Sequence, residues 1–300
     1  MDHSWLWIPA TLIAALTQTG RNAAQSGLTK TLGAIGAAHI RFLYALPFSI
    51  VFLTILLRVT GEELPDIHAR FFLFVLVGSV AQAAATALML WAMEKQSFSV
   101  VTAVIKTEPI QIALFAVLFF GEYFSPLVWI AFFVATCGVV IIAVHPGMLK
   151  SAQTTALAAG LAAGAGFSMT ALSFQTAVRE LAGHSAAVQA STTLVCSLIM
   201  QTVILMVLMI LFDRASLIGS FKLWRSSFGV GFLGAVASQF WFIAFALTSA
   251  ANVRTLGLVE VLIAYVISRR IMHQITSRKE IFGMVLIVLG VSLMIWGQSR

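Results

Sequence analysis

Residues 97–120 read SFSVVTAVIKTEPIQIALFAVLFF and decide the fold class of this chain. The stretch is apolar over most of its length, yet Lys106, Glu108 and Pro109 lie inside it. About 20 apolar residues are enough for a helix to cross the hydrocarbon core of a bilayer. Backbone groups within that core find no water to bind, so a segment of this kind must be helical. The stretch therefore predicts a membrane-spanning helix that carries charge.

The rest of the chain has the same character. Of its 300 residues, 60% are hydrophobic and 10% are charged, whereas soluble domains carry about 25% charged residues. Hydrophobic runs separated by short polar breaks predict ten spans, at 5–27, 34–57, 70–93, 97–120, 126–144, 154–177, 185–211, 227–249, 252–271 and 280–297. Nine spans is the alternative, because Arg254, Arg269 and Arg270 make the ninth segment polar at its ends. Either count predicts an all-α integral membrane protein without a soluble catalytic domain.

The two halves of the chain match each other. An offset of 152 residues aligns the middle of the chain with its last third without a gap, and it places Glu108 on Glu260. A carboxylate inside a membrane helix is rare and costly, so its presence at the same point of each half is informative. Five spans per half is an odd number, so the second half enters the membrane from the opposite side. We therefore expect two inverted five-helix repeats as domains, residues 1–147 and 148–300.

Five charged residues fall well inside the predicted spans, namely Arg21, Arg41, Lys106, Glu108 and Glu260. Each costs about 2.5–3.5 kcal/mol at the centre of a membrane helix, and such residues normally face the bundle interior or a water-filled cavity. Structural ion pairs between packed helices are one interpretation of these charges. Because the set is spread over four spans in both halves, we favour the other interpretation, a transport site.

The charges of the fourth span are expected to lie at a distortion of the helix. Lys106 and Glu108 are two positions apart and point in different directions, so each needs a partner elsewhere. Pro109 removes a helical hydrogen bond and predicts a kink beside them. A kink that only improves packing is the simpler alternative. Broken helices next to charges are where secondary transporters hold substrates and ions.

The first span carries a polar stripe. Gln18, Arg21, Asn22 and Gln25 follow the i, i+3, i+4, i+7 spacing that puts them on one helical face. A stripe of this kind cannot face lipid, so it must line a cavity or pack against polar partners. The expected substrate-binding residues are Gln18, Arg21, Gln25, Arg41, Gln82, Lys106, Gln239 and Trp241, and Glu108 and Glu260 are expected to carry protons or balance charge.

Short motifs after the fourth span resemble a known family. Phe119-Phe120-Gly121-Glu122, Ser125-Pro126 and Gly138-Val139 look like an EamA-type repeat of the drug/metabolite transporter superfamily, and the segment Lys106–Gln111 is similar to bacterial members. The second half departs from the pattern, because His273-Gln274 stands where the family has Gly-Glu. The resemblance implies a ten-helix transporter of the bacterial inner membrane with a central cavity between its halves. It further implies that amino acids or other small metabolites are handled, frequently outward.

These observations predict a secondary transporter for small polar metabolites, amino acids or organic anions, working by alternating access, and the resemblance implies the export direction. Sugar phosphates and nucleotide sugars are the alternative substrates, because buried cations also suit phosphate. A membrane-embedded lipid enzyme would need paired catalytic carboxylates or a histidine cluster at the membrane interface, and the sequence predicts neither. A scaffold or sensor would need a signalling domain, and the sequence predicts none. Small multidrug relatives carry a glutamate in the first helix where this chain has Gln18 and Arg21, which disfavours export of lipophilic cations.

The expected partners are the lipid bilayer, a small-molecule substrate and protons as the coupling ion, and no oligomer is required. No cofactor and no metal are expected, because the histidines and cysteines are scattered and no nucleotide-binding loop occurs. The net charge of +7 is assigned to the connecting loops, with no nucleic-acid partner. Orientation stays open. Lysines and arginines are more numerous after odd-numbered spans, which places both termini outside, whereas the resemblance more often places them in the cytoplasm.

Overall fold

The structure is a computed structural model that describes residues 5–95, 101, 104–143, 154–263 and 278–298, of which 22–23, 25–31, 33–34, 90, 93–94 and 298 are described by their backbone alone. The secondary structure of this part is helical, apart from an isolated bridge between Ala182 and His184. The helices are α1 Trp7–Leu43, α2 Leu46–Thr60, α3 Ala69–Lys95, α4 Glu108–Phe120, α5 Pro126–Ala143, α6 Thr154–Glu180, α7 Ala186–Phe212, α8 Arg214–Lys222, α9 Trp224–Leu247, α10 Ala250–Gly257 and α11 Arg278–Gln298. The prediction of an all-α protein is confirmed for the described residues.

Several of these helices are suited to a membrane. Six described segments are long and apolar enough to cross one, namely Ile35–Thr60, Ala69–Met89, Thr154–Glu180, Ala186–Phe212, Trp224–Leu247 and Arg278–Gly297, while α4 and α5 are apolar but shorter. Large hydrophobic side chains stand on the outside, such as Phe119 at 67% and Phe212 at 83% exposure. Extended apolar surface of this kind needs a nonaqueous surrounding. The chain is an integral, multi-pass membrane protein, and the count of ten spans stays a prediction.

The prediction of a connection between the first two spans, near residues 28–33, is wrong. α1 continues through it, and at 1.5 Å per residue its 37 residues extend about 55 Å. This stretch contains no proline, and polar side chains can interrupt an apolar run without interrupting the backbone hydrogen bonds of a helix. The break falls instead at Tyr44 and Ala45, just before Pro47 in the first turn of α2. Proline lacks the N–H that would continue the ladder.

Glycine ends two of the helices sharply. Gly61 follows α2 with φ 69° and Gly121 follows α4 with φ 65°, a left-handed conformation that glycine adopts without a steric penalty. Each donates its backbone N–H to a carbonyl of the last turn, that of Leu57 for Gly61 and that of Ala116 for Gly121. The glycine of the family-like motif Phe119–Glu122 therefore has a structural reason, since it terminates the fourth apolar segment.

The chain forms two compact units. Unit 1 comprises Met1–Ala83 and Ser173–Thr248, and unit 2 comprises Ala84–Leu172 and Ser249–Arg300. Each unit thus takes residues from both halves of the sequence, and two of the boundaries fall within α3 and α6. The division into domains 1–147 and 148–300 stays a prediction, and its boundary lies outside the described residues.

In unit 1, α1 packs along α9, and α7 packs against α2 and α9. Gly231 of α9 lies against the backbone of Tyr44, while Gly234 faces the side chain of Arg21. Small residues let neighbouring helices approach closely in membrane proteins, where van der Waals packing has to hold them together.

In unit 2, α5 and α11 form the corresponding close pair. A Cβ added at Gly138 would lie 2.5 Å from the carbonyl oxygen of Gly283, and one added at Gly290 would lie 2.5 Å from the backbone nitrogen of Ala135. Contacts advance along α11 as they recede along α5, so the two helices run antiparallel. The offset of 152 residues that pairs the halves superimposes Gly138 on Gly290, so matched glycines make matched contacts.

Candidate functional site

The fourth apolar segment is broken at its charges. Val104 and Ile105 are helical, Lys106 and Thr107 form a turn, and α4 starts at Glu108. The backbone N–H of Thr107 donates to the carbonyl of Val104 at 3.2 Å, and its hydroxyl donates to the same oxygen at 2.7 Å. Proline in the first turn of a helix sacrifices no hydrogen bond, because the first N–H groups have no partner within the helix. The kink expected at Pro109 is therefore a helix start.

A second break lies at the matching place of the other half. α10 ends at Gly257, Leu258 forms a turn, and helical structure resumes with the residues around Glu260. The backbone N–H of Leu258 donates to the carbonyl of Thr255 at 3.1 Å. Glu108 and Glu260 therefore both lie in the first turn that follows a break. The N-terminal end of a helix carries a partial positive charge, which stabilises a carboxylate there.

Two ion pairs join the broken segments. Lys106 contacts Glu260, and the Nε of Arg254 lies 3.4 Å from Oε1 of Glu108. The four side chains are between 12% and 24% exposed. As expected from their spacing, Lys106 and Glu108 find their ion-pair partners on another segment. We call Lys106, Glu108, Arg254 and Glu260 the four-charge cluster.

The cluster is balanced and each segment contributes equally to it. Each broken segment supplies one cation followed by one carboxylate, and the pairs are exchanged between the segments. Lys106 also interacts electrostatically with Glu108 and Arg254. Arg254 is absent from the expected site, because from the sequence it is only a polar end of the ninth span. One feature of the sequence does indicate Arg254: it precedes Glu260 within a predicted span, as Lys106 precedes Glu108.

α6 supports the cluster from unit 2. The hydroxyl of Ser168 lies 3.3 Å from the backbone carbonyl of Glu108 and 2.9 Å from that of Gly164, and can donate to either. The side-chain amide of Gln111 donates to the hydroxyl of Thr107 at 2.9 Å and lies against Gly164, where an added Cβ would come within 3.0 Å of it. These contacts fix the start of α4 and with it the backbone of Glu108.

Unit 1 holds an uncharged polar group between α1, α7 and α9. The indole N–H of Trp241 donates to Oε1 of Gln18 at 3.1 Å. The hydroxyl of Ser191 donates to Oε1 of Gln239 at 3.0 Å, and the Nε2 of Gln239 is buried without a hydrogen-bond partner among the described residues. A buried amide donor costs free energy unless it is satisfied. This group can offer a donor to a polar molecule.

Other polar residues of unit 1 also make contacts. Gln201 donates through Nε2 to Oε1 of Gln82 at 2.6 Å, and Gln175 donates to the backbone carbonyl of Thr248 at 2.8 Å. Arg21 is only 3% exposed. The guanidinium carbon of Arg41 lies 5.2 Å from the centre of the ring of Phe42, within cation–π range.

The expected site residues thus fall into two groups. Unit 1 contains Gln18, Arg21, Arg41, Gln82, Gln239 and Trp241, and unit 2 contains Lys106, Glu108 and Glu260. The side chain of Gln25 lies outside the part that the structure describes. Arg254, Ser191, Gln201 and Gln175 join these groups without having been expected. Within the described ranges, no group of three or more His, Cys, Asp or Glu side chains could hold a metal ion.

Comparisons with known proteins agree with the helical membrane fold. A crystal structure of another protein superimposes on 95% of this chain and 95% of its own with a TM-score of 0.68, at 14% sequence identity, which shows a shared fold. No curated protein matches the sequence significantly. The model of the EamA-like transporter family matches residues 5–144, a range that contains Lys106, Glu108 and the motif at Gly121. Residues 5–144, just under half of the chain, are therefore similar to the EamA-like transporter family, whose members are membrane transporters of the drug/metabolite transporter superfamily.

Proposed function

We propose that the protein is a secondary transporter of small polar metabolites, amino acids or organic anions, which works by alternating access through a central cavity. The observation that carries this proposal is the four-charge cluster, held at two helix breaks within apolar segments. Ionisable groups in membrane helices cost free energy, and they mark substrate and ion pathways. Discontinuous helices with charges at their ends are the usual construction of such sites in secondary transporters.

Two observations support the ten-helix arrangement of inverted repeats that this mechanism needs. α5 and α11 come from matching places of the two halves and run antiparallel in unit 2, as repeats of opposite topology require. The helix breaks before Glu108 and Glu260 also occupy matching places. Neither observation depends on the resemblance of the sequence motifs to the family.

The charge balance of the cluster favours amino acids and monovalent metabolites over phosphates. Lys106 and Arg254 each face a carboxylate, so no cation of the cluster is in excess. A phosphate dianion would add two negative charges to a neutral, largely buried group, which is unfavourable in a medium of low polarity. Sugar phosphates and nucleotide sugars are therefore the weaker candidates.

The export direction, the bacterial inner membrane and protons as the coupling ion complete the proposal. The first two follow from the family resemblance. The third is supported by Glu108 and Glu260, which are carboxylates within the apolar segments and can exchange protons when their cation partners are displaced.

Uptake and efflux by the purified protein in proteoliposomes test this function. A panel of the twenty proteinogenic amino acids and a set of monocarboxylates and dicarboxylates is measured with and without a pH gradient. We expect accelerated flux of at least one compound and loss of that flux in Arg21→Ala or Lys106→Ala. A flat response across the panel would refute the substrate class. Undiminished flux in both variants would refute the role of these cations.

A further inference from the structure

Both cations of the four-charge cluster already face a carboxylate. Lys106 contacts Glu260, and Arg254 lies beside Glu108. The formal charges of these four residues sum to zero. A substrate that binds to Lys106 must therefore displace Glu260, or it must add its own charge to a partly buried neutral group.

An anion, a cation and a zwitterion differ in which charge of the cluster each leaves unpaired. An anion on Lys106 leaves Glu260 without its cation, and a cation on Glu260 leaves Lys106 without its carboxylate. Uncompensated buried charges of this kind are strongly unfavourable. A zwitterion supplies both replacements, because its carboxylate pairs with Lys106 and its ammonium group pairs with Glu260. The net charge of the cluster then stays at zero.

The two ion pairs are held differently. Lys106 lies in the turn before α4 and carries its charge on a flexible stem, which can move to a new partner. Glu108 is the first residue of α4, and its backbone carbonyl lies within hydrogen-bond distance of the Ser168 hydroxyl. Of the two pairs, Lys106–Glu260 is therefore the one whose cation moves more readily to a new partner.

We propose that the Lys106–Glu260 pair is the binding site of a zwitterion of the α-amino-acid type, which opens the pair and takes both of its ends. The Glu108–Arg254 pair stays closed and holds the neighbouring helix breaks. This inference rests on the proposed transport function and narrows its substrate class. Binding then requires no proton to balance charge, in contrast to binding of an organic anion.

Substitutions at the pair change the charge that the site accepts. Glu260→Gln gives the cluster a net charge of +1 and should favour an anion over the zwitterion. Lys106→Gln gives it a net charge of −1 and should favour a cation. A pair with a purely structural role would instead lower the transport of all three ligand classes alike.

Matched probes separate these outcomes. Counterflow into proteoliposomes is measured for leucine, for 4-methylpentanoate, which lacks the ammonium group, and for 3-methylbutylamine, which lacks the carboxylate. Phenylalanine, 3-phenylpropanoate and 2-phenylethylamine form a second set. If another amino acid is the best substrate of the twenty, it and its two analogues replace these sets. Glu180→Gln is the control, because Glu180 pairs with Arg70 at 3.1 Å at the end of α6 and belongs to neither pair of the cluster.

The wild type and Glu180→Gln should transport the amino acid about tenfold or more faster than either analogue. Glu260→Gln should reverse this preference towards the anion, and Lys106→Gln should reverse it towards the amine. The double variant Lys106→Gln/Glu260→Gln keeps the cluster neutral and should lose the preference for the zwitterion while it remains monodisperse.

Other outcomes overturn the inference and say whether the proposed function survives. Preference of the wild type for an anion refutes the zwitterion site but leaves the transporter intact, as does an equal loss of all three probes in Glu260→Gln. No flux of any compound in the panel refutes the proposed function itself and the inference with it.

Discussion

The pairing of Glu108 with Arg254 can be tested by a double-mutant cycle. Arg254→Gln removes the cation but keeps a polar side chain of similar length, and Glu108→Gln removes the carboxylate. Arg254→Gln leaves the carboxylate of Glu108 inside the protein without this cation, whereas the double variant leaves two neutral amides. The double variant should therefore be more stable than Arg254→Gln alone.

The size of the effect follows from the geometry. Two unit charges 3.4 Å apart attract each other by about 5 kcal/mol at an effective dielectric constant of about 20. The side chains of Arg254 and Glu108 keep 24% and 12% exposure, and Lys106 lies near enough to compensate in part. We therefore expect Arg254→Gln to cost about 3 kcal/mol, as is found when one partner of a buried pair is removed.

Thermal unfolding of the four proteins in the same detergent measures this coupling. At about 2 °C per kcal/mol for a chain of this size, Arg254→Gln should lower Tm by about 6 °C, and adding Glu108→Gln should restore about half of that loss. Strict additivity of the two single changes, within about 0.5 kcal/mol, would show that the two side chains do not interact. The role assigned to this pair at the helix breaks would then be wrong.

Three further changes probe the packing and the loops. Gly290→Ala places a methyl group 2.5 Å from a backbone nitrogen of α5 and should lower the stability by about 1–3 kcal/mol. Gly229→Ala is the control, because its methyl group meets nothing within 4 Å, and it should leave Tm unchanged or higher. Equal Tm values for the two variants would contradict the close approach of α5 and α11. A hydrogen bond to Glu180 raises the pKa of His68, so its stabilising effect is complete below the unfolded pKa of about 6.5 and is lost as pH rises through the folded pKa. His68→Gln should therefore lower Tm at about pH 5.5 and have less effect at about pH 9, and a pH-independent effect would argue against the ion pair. Ser185 caps α7, so Ser185→Ala should cost about 1 kcal/mol in denaturant unfolding, and no change would show that the cap contributes nothing.

The fold class could be predicted because composition alone constrains it. A chain that is 60% hydrophobic has to form helices in lipid. The connection wrongly predicted near residues 28–33 shows that a polar break in an apolar run does not always mark the end of a helix. Polarity marks where an apolar surface ends, but a helix ends where its backbone ladder is interrupted, as before Pro47.

Three members of the four-charge cluster could be predicted from the sequence, but their pairing could not. A charge inside an apolar run is recognisable from its cost, and this identified Lys106, Glu108 and Glu260. Arg254 escaped because six positions separate it from Glu260, with a helix break between them, so no helical spacing connects the two. Which cation faces which carboxylate depends on how distant segments pack, and no local pattern contains that information.

The neutrality of the four-charge cluster determines how the membrane potential acts on its movement. Moving one elementary charge across a potential of 100 mV involves about 2.3 kcal/mol. The cluster carries two cations and two carboxylates, so its reorientation transfers no net charge, whether it is empty or has a zwitterion bound. The membrane voltage would neither drive nor oppose that step. Under the proposed mechanism, a dependence of flux on voltage would then come from the coupled proton.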